Sequence, residues 1–158
     1  GCFKTRARLV RETVRAVREA IPDSLPLCVR ISATDWADGG WDIGQSVELA
    51  DLLKQYGVDL IDVSGGGLVP YARIPSGPGY QVSFAARIRR ETGMKTGAVG
   101  LITTAGQAEE ILEANAADLI LMGREFLRDP YFPLHAASEL YEDMKWPAQY
   151  ARAKTSGK

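Results

Sequence analysis

Apolar residues along this chain switch between two spacings, and the switch recurs four times. From Arg6 to Ala20 the positions Leu9, Val10, Val14, Val17 and Ala20 return every three or four residues, with arginines filling the other face. That period gathers the apolar side chains on one stripe of a helix, which Pro22 stops. Pro26 to Ser32 is a strand-length run, and Gln45 to Tyr56 returns to helical spacing, with Gly57 placed to cap its C-terminus. The plan then repeats. Val58 to Val63 is a strand, Tyr80 to Thr92 a helix ending at Gly93, Met94 to Val99 a strand, and Thr104 to Ala114 a helix that Thr103-Thr104 can cap. Ala117 to Met122 is a strand, and Asp129-Pro130, an N-cap followed by proline at the first helical position, opens a last helix to about Glu142.

Alternation of this kind implies a parallel sheet with right-handed crossovers, so the fold class is α/β, built of (β/α) units. A closed eight-stranded barrel takes about 250 residues, and this chain has 158. Four units make half a barrel over residues 1–145. Residues 146–158 read as an irregular tail frayed at its end. The chain starts with Gly1-Cys2-Phe3 rather than Met, with a helix already in progress soon after, as an excised piece of a longer protein would.

Charge and composition narrow the partners. The net charge is -1 and no Lys/Arg block of five appears, which argues against a nucleic-acid or anionic-membrane surface and for small molecules. No apolar run approaches the roughly 18 residues of a membrane span, and Gly1 to Arg18 is charged where a signal peptide needs an apolar stretch. The cytoplasm is the default compartment. In such a compartment Cys2 and Cys28 are expected as free thiols, with Cys28 buried inside Leu27-Cys28-Val29-Arg30-Ile31 as a small hydrophobe.

The candidate chemistry lies at two strand ends. Lys95-Thr96-Gly97-Ala98-Val99-Gly100-Leu101-Ile102 and Leu119-Ile120-Leu121-Met122-Gly123-Arg124-Glu125 are each an apolar run ending in glycine. Consecutive parallel units set such ends side by side. Gly100 and Gly123 would there expose backbone N–H groups next to the Arg124 guanidinium, a cradle for phosphate.

Several segments together resemble the C-terminal half, strands five to eight, of the old yellow enzyme family of FMN-dependent ene-reductases, in its bacterial, thermophilic-like group. They are Cys28 to Ala33, Val58 to Gly66, Pro78-Gly79-Tyr80-Gln81, Gly97 to Ile102 and Asp118 to Pro130. The start departs from the family: where it has Tyr-Gly-Gly-Ser-x-Glu-Asn-Arg, this chain has Gly1-Cys2-Phe3-Lys4-Thr5-Arg6 and keeps only the glycine and the arginine. The resemblance implies that Arg30 meets the N1–C2 edge of the flavin, that Val99 and Gly100 give backbone amides to the FMN phosphate, and that Gly123 and Arg124 complete that site. It also implies that Arg152, in Gln149-Tyr150-Ala151-Arg152, enters a neighbouring subunit's substrate site, and that the loop from Ala33 to Asp42 edges the substrate mouth. NADPH or NADH would be the reductant and an activated alkene the substrate. The family's paired histidines and its proton-donating tyrosine belong to strands upstream of Gly1.

Plainer readings stand beside these. Arg30 also reads as a plain strand-end ion-pair partner, the commoner role without context, though Val29-Arg30-Ile31-Ser32 favours the flavin reading, and Gly65-Gly66-Gly67 reads first as a loop needing positive φ. Asp35, Asp38 and Asp42 lack the spacing and terminal Glu of a calcium loop. His135, the chain's one histidine, is expected to be structural, and a substrate-clamping pair cannot be assembled from it. Trp36, Trp41 and Trp146 read as packing residues, while Tyr71 and Tyr80 have no identifiable base beside them. The expected function is therefore the FMN-binding half of a flavin oxidoreductase, incomplete for catalysis alone and completed by a missing N-terminal half-barrel. The alternatives are a non-catalytic half-barrel that binds FMN or another phosphorylated ligand as a homodimer, and another phosphate-binding barrel enzyme.

Overall fold

A computed structural model describes residues 1–154. Four parallel strands, β1 (Cys28–Ser32), β2 (Leu60–Ser64), β3 (Lys95–Val99) and β4 (Leu119–Leu121), lie side by side in chain order. Helices α3 (Ile43–Lys54), α4 (Val82–Thr92) and α5 (Ala105–Glu113) are the crossovers. Two segments, α1 (Phe3–Arg6) and α2 (Arg8–Ala20), precede the sheet, and α6 (Arg124–Arg128), α7 (Phe132–Glu139) and a 3-10 helix (Ala148–Ala153) follow it. Parallel strands in chain order joined by helical crossovers are the arrangement of half a (β/α)8 barrel, as the alternation predicts.

Each local device acts where its chemistry sends it. Asp42 and Thr104 accept hydrogen bonds from the Gln45 and Gln107 amides and so start α3 and α5. Gly93, at φ +66, ends α4 in the left-handed conformation that costs glycine nothing. Side chains of alternate strand residues separate the two faces of the sheet. Ile31, Ile61, Val63 and Ala98 point to the helices and join Leu49, Leu53, Ala85 and Ile88 in one buried core. Across the other, concave face, Arg30, Asp62, Gly97 and Leu119 align in register, with Cys28, Leu60 and Lys95 in the row below.

The structure corrects three expectations. Cys28 is exposed and free, not buried, because alternation puts it on the concave face with Arg30. The predicted last helix is two helices. Asp129 is the C-cap of α6, its N–H bonded to the Glu125 carbonyl at 2.8 Å, and α7 begins only at Phe132. The Asp129 carboxylate instead ties the turn, accepting from the Tyr131 N–H at 3.0 Å and meeting His135 Nδ1 at 2.7 Å. The tail is not wholly irregular: Ala148–Ala153 is a 3-10 helix, anchored by the Tyr150 hydroxyl 3.0 Å from that of Tyr131. The frayed end expected at residues 155–158 lies outside the described residues.

Candidate functional site at the strand ends

The C-terminal ends of all four strands open onto one cavity of ≈ 470 Å³. Its lining includes Arg30, Val99, Gly100, Gly123 and Arg124, so five of the six residues singled out from the sequence converge there. The sixth, Arg152, is exposed on the 3-10 helix and is not part of the lining.

At the end of β3 the backbone turns sharply. Gly100 adopts φ +128, and Leu101 follows at φ +52, a conformation that costs an L-residue roughly 1–2 kcal/mol. A Cβ on Gly100 would meet Gln81 Nε2 at 2.9 Å and the Tyr80 ring at 3.0 Å, so this position requires glycine on two counts. The Val99 carbonyl accepts a hydrogen bond from Gln81 Nε2 at 3.2 Å, and the Gly100 carbonyl accepts from the Gly79 N–H at 2.8 Å. Because the peptide between them is trans, the Gly100 N–H is directed away from Gln81.

Gly123 caps α6, and a Cβ there would meet nothing within 4 Å, so the backbone comes bare to the cavity. Among the described residues Arg124 has no ion pair, whereas Arg128, one turn on, holds Glu125 at 2.8 Å. The first turn of α5 is less available than a simple cradle requires. Thr104 and the Gln107 side chain, which accepts from the Thr103 N–H at 3.1 Å, already satisfy donors there.

On β1 the plain reading of Arg30 is also true: Nη1 donates to Asp62 Oδ2 at 3.0 Å. The arginine is half-exposed and faces the cavity, while Asp62 is mostly covered. Burial pushes the Asp62 carboxyl above the usual carboxylate range, and Arg30 offsets only part of this. The cavity thus has Arg30 at one side and Arg124 and Arg128 at the other, with Ser64, Ser76 and Thr103 hydroxyls and the Gln81 amide on its wall. Gln81 is 2% exposed and its Oε1 is buried with no partner. Such a set, with Glu125 the one carboxylate among the lining residues, suits a polar ligand that carries negative charge.

Gln81, Tyr80, Asp62 and Arg128 were not singled out as site residues from the sequence. Pro78-Gly79-Tyr80-Gln81 carried a signal, since a proline-glycine turn just before a helix brings its next side chains to the strand ends. Arg128 follows Arg124 at helical spacing.

The NADH:flavin oxidoreductase / NADH oxidase family model matches residues 1–143. The chain belongs to this family. It is 54% identical over 153 residues to an NADPH dehydrogenase of Bacillus pumilus (strain SAFR-032), a match covering 97% of this chain and 44% of that protein. An NADPH dehydrogenase of Listeria monocytogenes serotype 4a (strain HCC23) is 50% identical with the same coverage. The chain therefore spans less than half the length of these relatives. Among solved structures, a 2-naphthoyl-CoA reductase complex shares the fold with a TM-score of 0.79 at 24% identity, over 88% of this chain and 22% of the other.

Proposed function

We propose that this chain is the FMN-holding part of an NAD(P)H-dependent flavin oxidoreductase acting on activated carbon–carbon double bonds. The observation that carries the reading is the convergence of Arg30, Val99, Gly100, Gly123 and Arg124 on one cavity whose arginines stand at opposite sides. Its donor set fits FMN. Arg124, with the backbone at Gly100 and Gly123, holds the phosphate; the wall hydroxyls and Gln81 suit the ribityl chain; Arg30 faces the N1–C2 edge of the ring.

The chemistry that FMN supplies when bound is hydride transfer from NADPH or NADH to the alkene. This chain's own part is to bind and to set charge. Arg30 places a fixed cation where negative charge develops, and a preorganised cation needs no reorganisation as it does so. The family's substrate clamp and proton donor are assigned to the missing N-terminal half-barrel, in keeping with a match that covers 44% of the curated relative. Arg152, exposed on the anchored tail, serves a neighbouring subunit's substrate site.

Titrating the 158-residue chain with FMN tests this directly. Quenched flavin fluorescence at one FMN per chain, weakened in Arg124→Ala, is the expected result, together with negligible NADPH oxidation in the presence of a cyclic enone. Absence of binding, or enone turnover like that of a full-length relative, defeats the reading. A light-scattering mass of two chains in the FMN complex would instead favour a pseudo-barrel dimer.

A further inference from the structure

The Arg30–Asp62 pair makes a poor stability device. The two residues face each other in register on β1 and β2, joined by one contact of 3.0 Å, with side chains 58% and 17% exposed respectively. Asp62 Oδ1 is buried without a hydrogen-bond partner. The next register position on β3 is Gly97, which offers that oxygen no side-chain donor. A carboxylate in this setting is more costly to ionise than in water, and a neutral side chain of the same shape would suit the sheet better.

What the carboxylate does is act on Arg30. It occupies Nη1, which leaves the remaining guanidinium donors for the cavity, and it places a carboxylate 3.0 Å from the positive group on the neighbouring strand. On its row of the concave face the charged residues are these two alone, since Gly97 and Leu119 complete it. We propose that Asp62 is a positioning residue that sets the effective charge of Arg30 at the cofactor, and through it the reduction potential of the bound flavin. This rests on the FMN reading above. A half-neutralised guanidinium stabilises reduced, negatively charged flavin less than a free one does, so Asp62 keeps the cofactor the stronger reductant.

The test measures the two-electron potential of FMN bound to the 158-residue chain. Asp62→Asn keeps the shape and an acceptor for Arg30 but removes the charge; Asp62→Ser is a second neutral variant should the first fold poorly. Both are expected to favour reduced flavin at least about tenfold, a rise of about 30 mV for a two-electron couple. Arg30→Ala is expected to move the potential the other way. Bound FMN with an unchanged or lowered potential in both Asp62 variants overturns this inference and leaves the cofactor site standing. Failure of the parent chain to take up FMN overturns both.

Discussion

The two ends of this sheet are built from different materials. At the N-terminal end two aspartates in matching positions, in Val58-Asp59-Leu60-Ile61 and Ala117-Asp118-Leu119-Ile120, staple adjacent strands. Asp59 accepts from the Leu27 N–H at 2.7 Å and Asp118 from the Thr96 N–H at 2.9 Å, while their own N–H groups donate to the Leu27 and Thr96 carbonyls. Asp118 also holds Arg89 at 3.0 Å. At the C-terminal end β3 and β4 run into Gly100 and Gly123, Leu101 is held at φ +52, and Arg30 and Arg124 line the cavity. The first end uses its polar groups on itself; at the second several are paired too, but Arg124 has no ion pair among the described residues and Gln81 Oε1 has no partner. The difference is the one expected of barrel enzymes, whose chemistry gathers at the C-terminal face while the opposite face holds the structure together.

The sharpest break of this comparison is Asp118→Ala. It leaves the Thr96 amide and the Arg89 guanidinium without their partner, and unfolding stability is expected to fall by about 2 kcal/mol in a denaturant titration, with FMN affinity of the folded fraction unchanged. Gly100→Ala is expected to damage the other end. The positive φ and the contacts with Gln81 and Tyr80 make it cost about 1–3 kcal/mol, and here FMN affinity falls as well.

Arg124→Ala should separate binding from stability. Loss of a charge-assisted contact to phosphate is expected to weaken FMN binding about ten- to a hundredfold, while the unfolding free energy changes by no more than about 0.5 kcal/mol. Isothermal titration beside a melt would show whether the effects part in this way.

Acid titration distinguishes the ends by sign. Burial works against the Asp118 carboxylate, but Arg89, the Thr96 amide and neighbouring positive charge outweigh it and hold its titration below the ordinary value of 3.8. Its contribution is therefore complete above 3.8 and is lost as pH falls through the depressed value. Asp62 is raised, so its effect is reversed: stability falls as pH rises from 3.8 through the raised value. In urea melts Asp118→Asn should be destabilised at neutral pH and converge on the parent in acid, whereas Asp62→Asn should be as stable as the parent or more so at neutral pH. The smallest effect is at Leu101. Replacing it by glycine relieves a φ of +52 and should raise stability by up to about 1 kcal/mol in the same melts.

Much of the fold and part of the site are legible in the residues alone. The caps at Thr104 and Gly93, the order of the four units and the glycine ends of β3 and β4 follow from local rules, since a side-chain oxygen before a helix and a glycine after one act on their own few residues. At Cys28 one local signal overrules another: its apolar neighbours suggest burial, but two residues before Arg30 on a strand it shares the arginine's face. The break between α6 and α7 is harder to read, because Asp129-Pro130 carries every mark of a helix start, and only the Glu125 carbonyl and the Tyr131 amide decide that Asp129 closes one turn and ties the next.

By itself the sequence determined the order of strands and helices up to β4, that the strands run parallel, and which glycines end β3 and β4, because periodicity and capping depend on neighbours a few residues away. The tertiary structure alone decided that Asp62 pairs with Arg30, that Gln81 bonds the Val99 carbonyl, and that Arg128 joins Arg124 on the cavity lining. Those contacts depend on register and on how the sheet curves, which are set by the packing of the whole half-barrel.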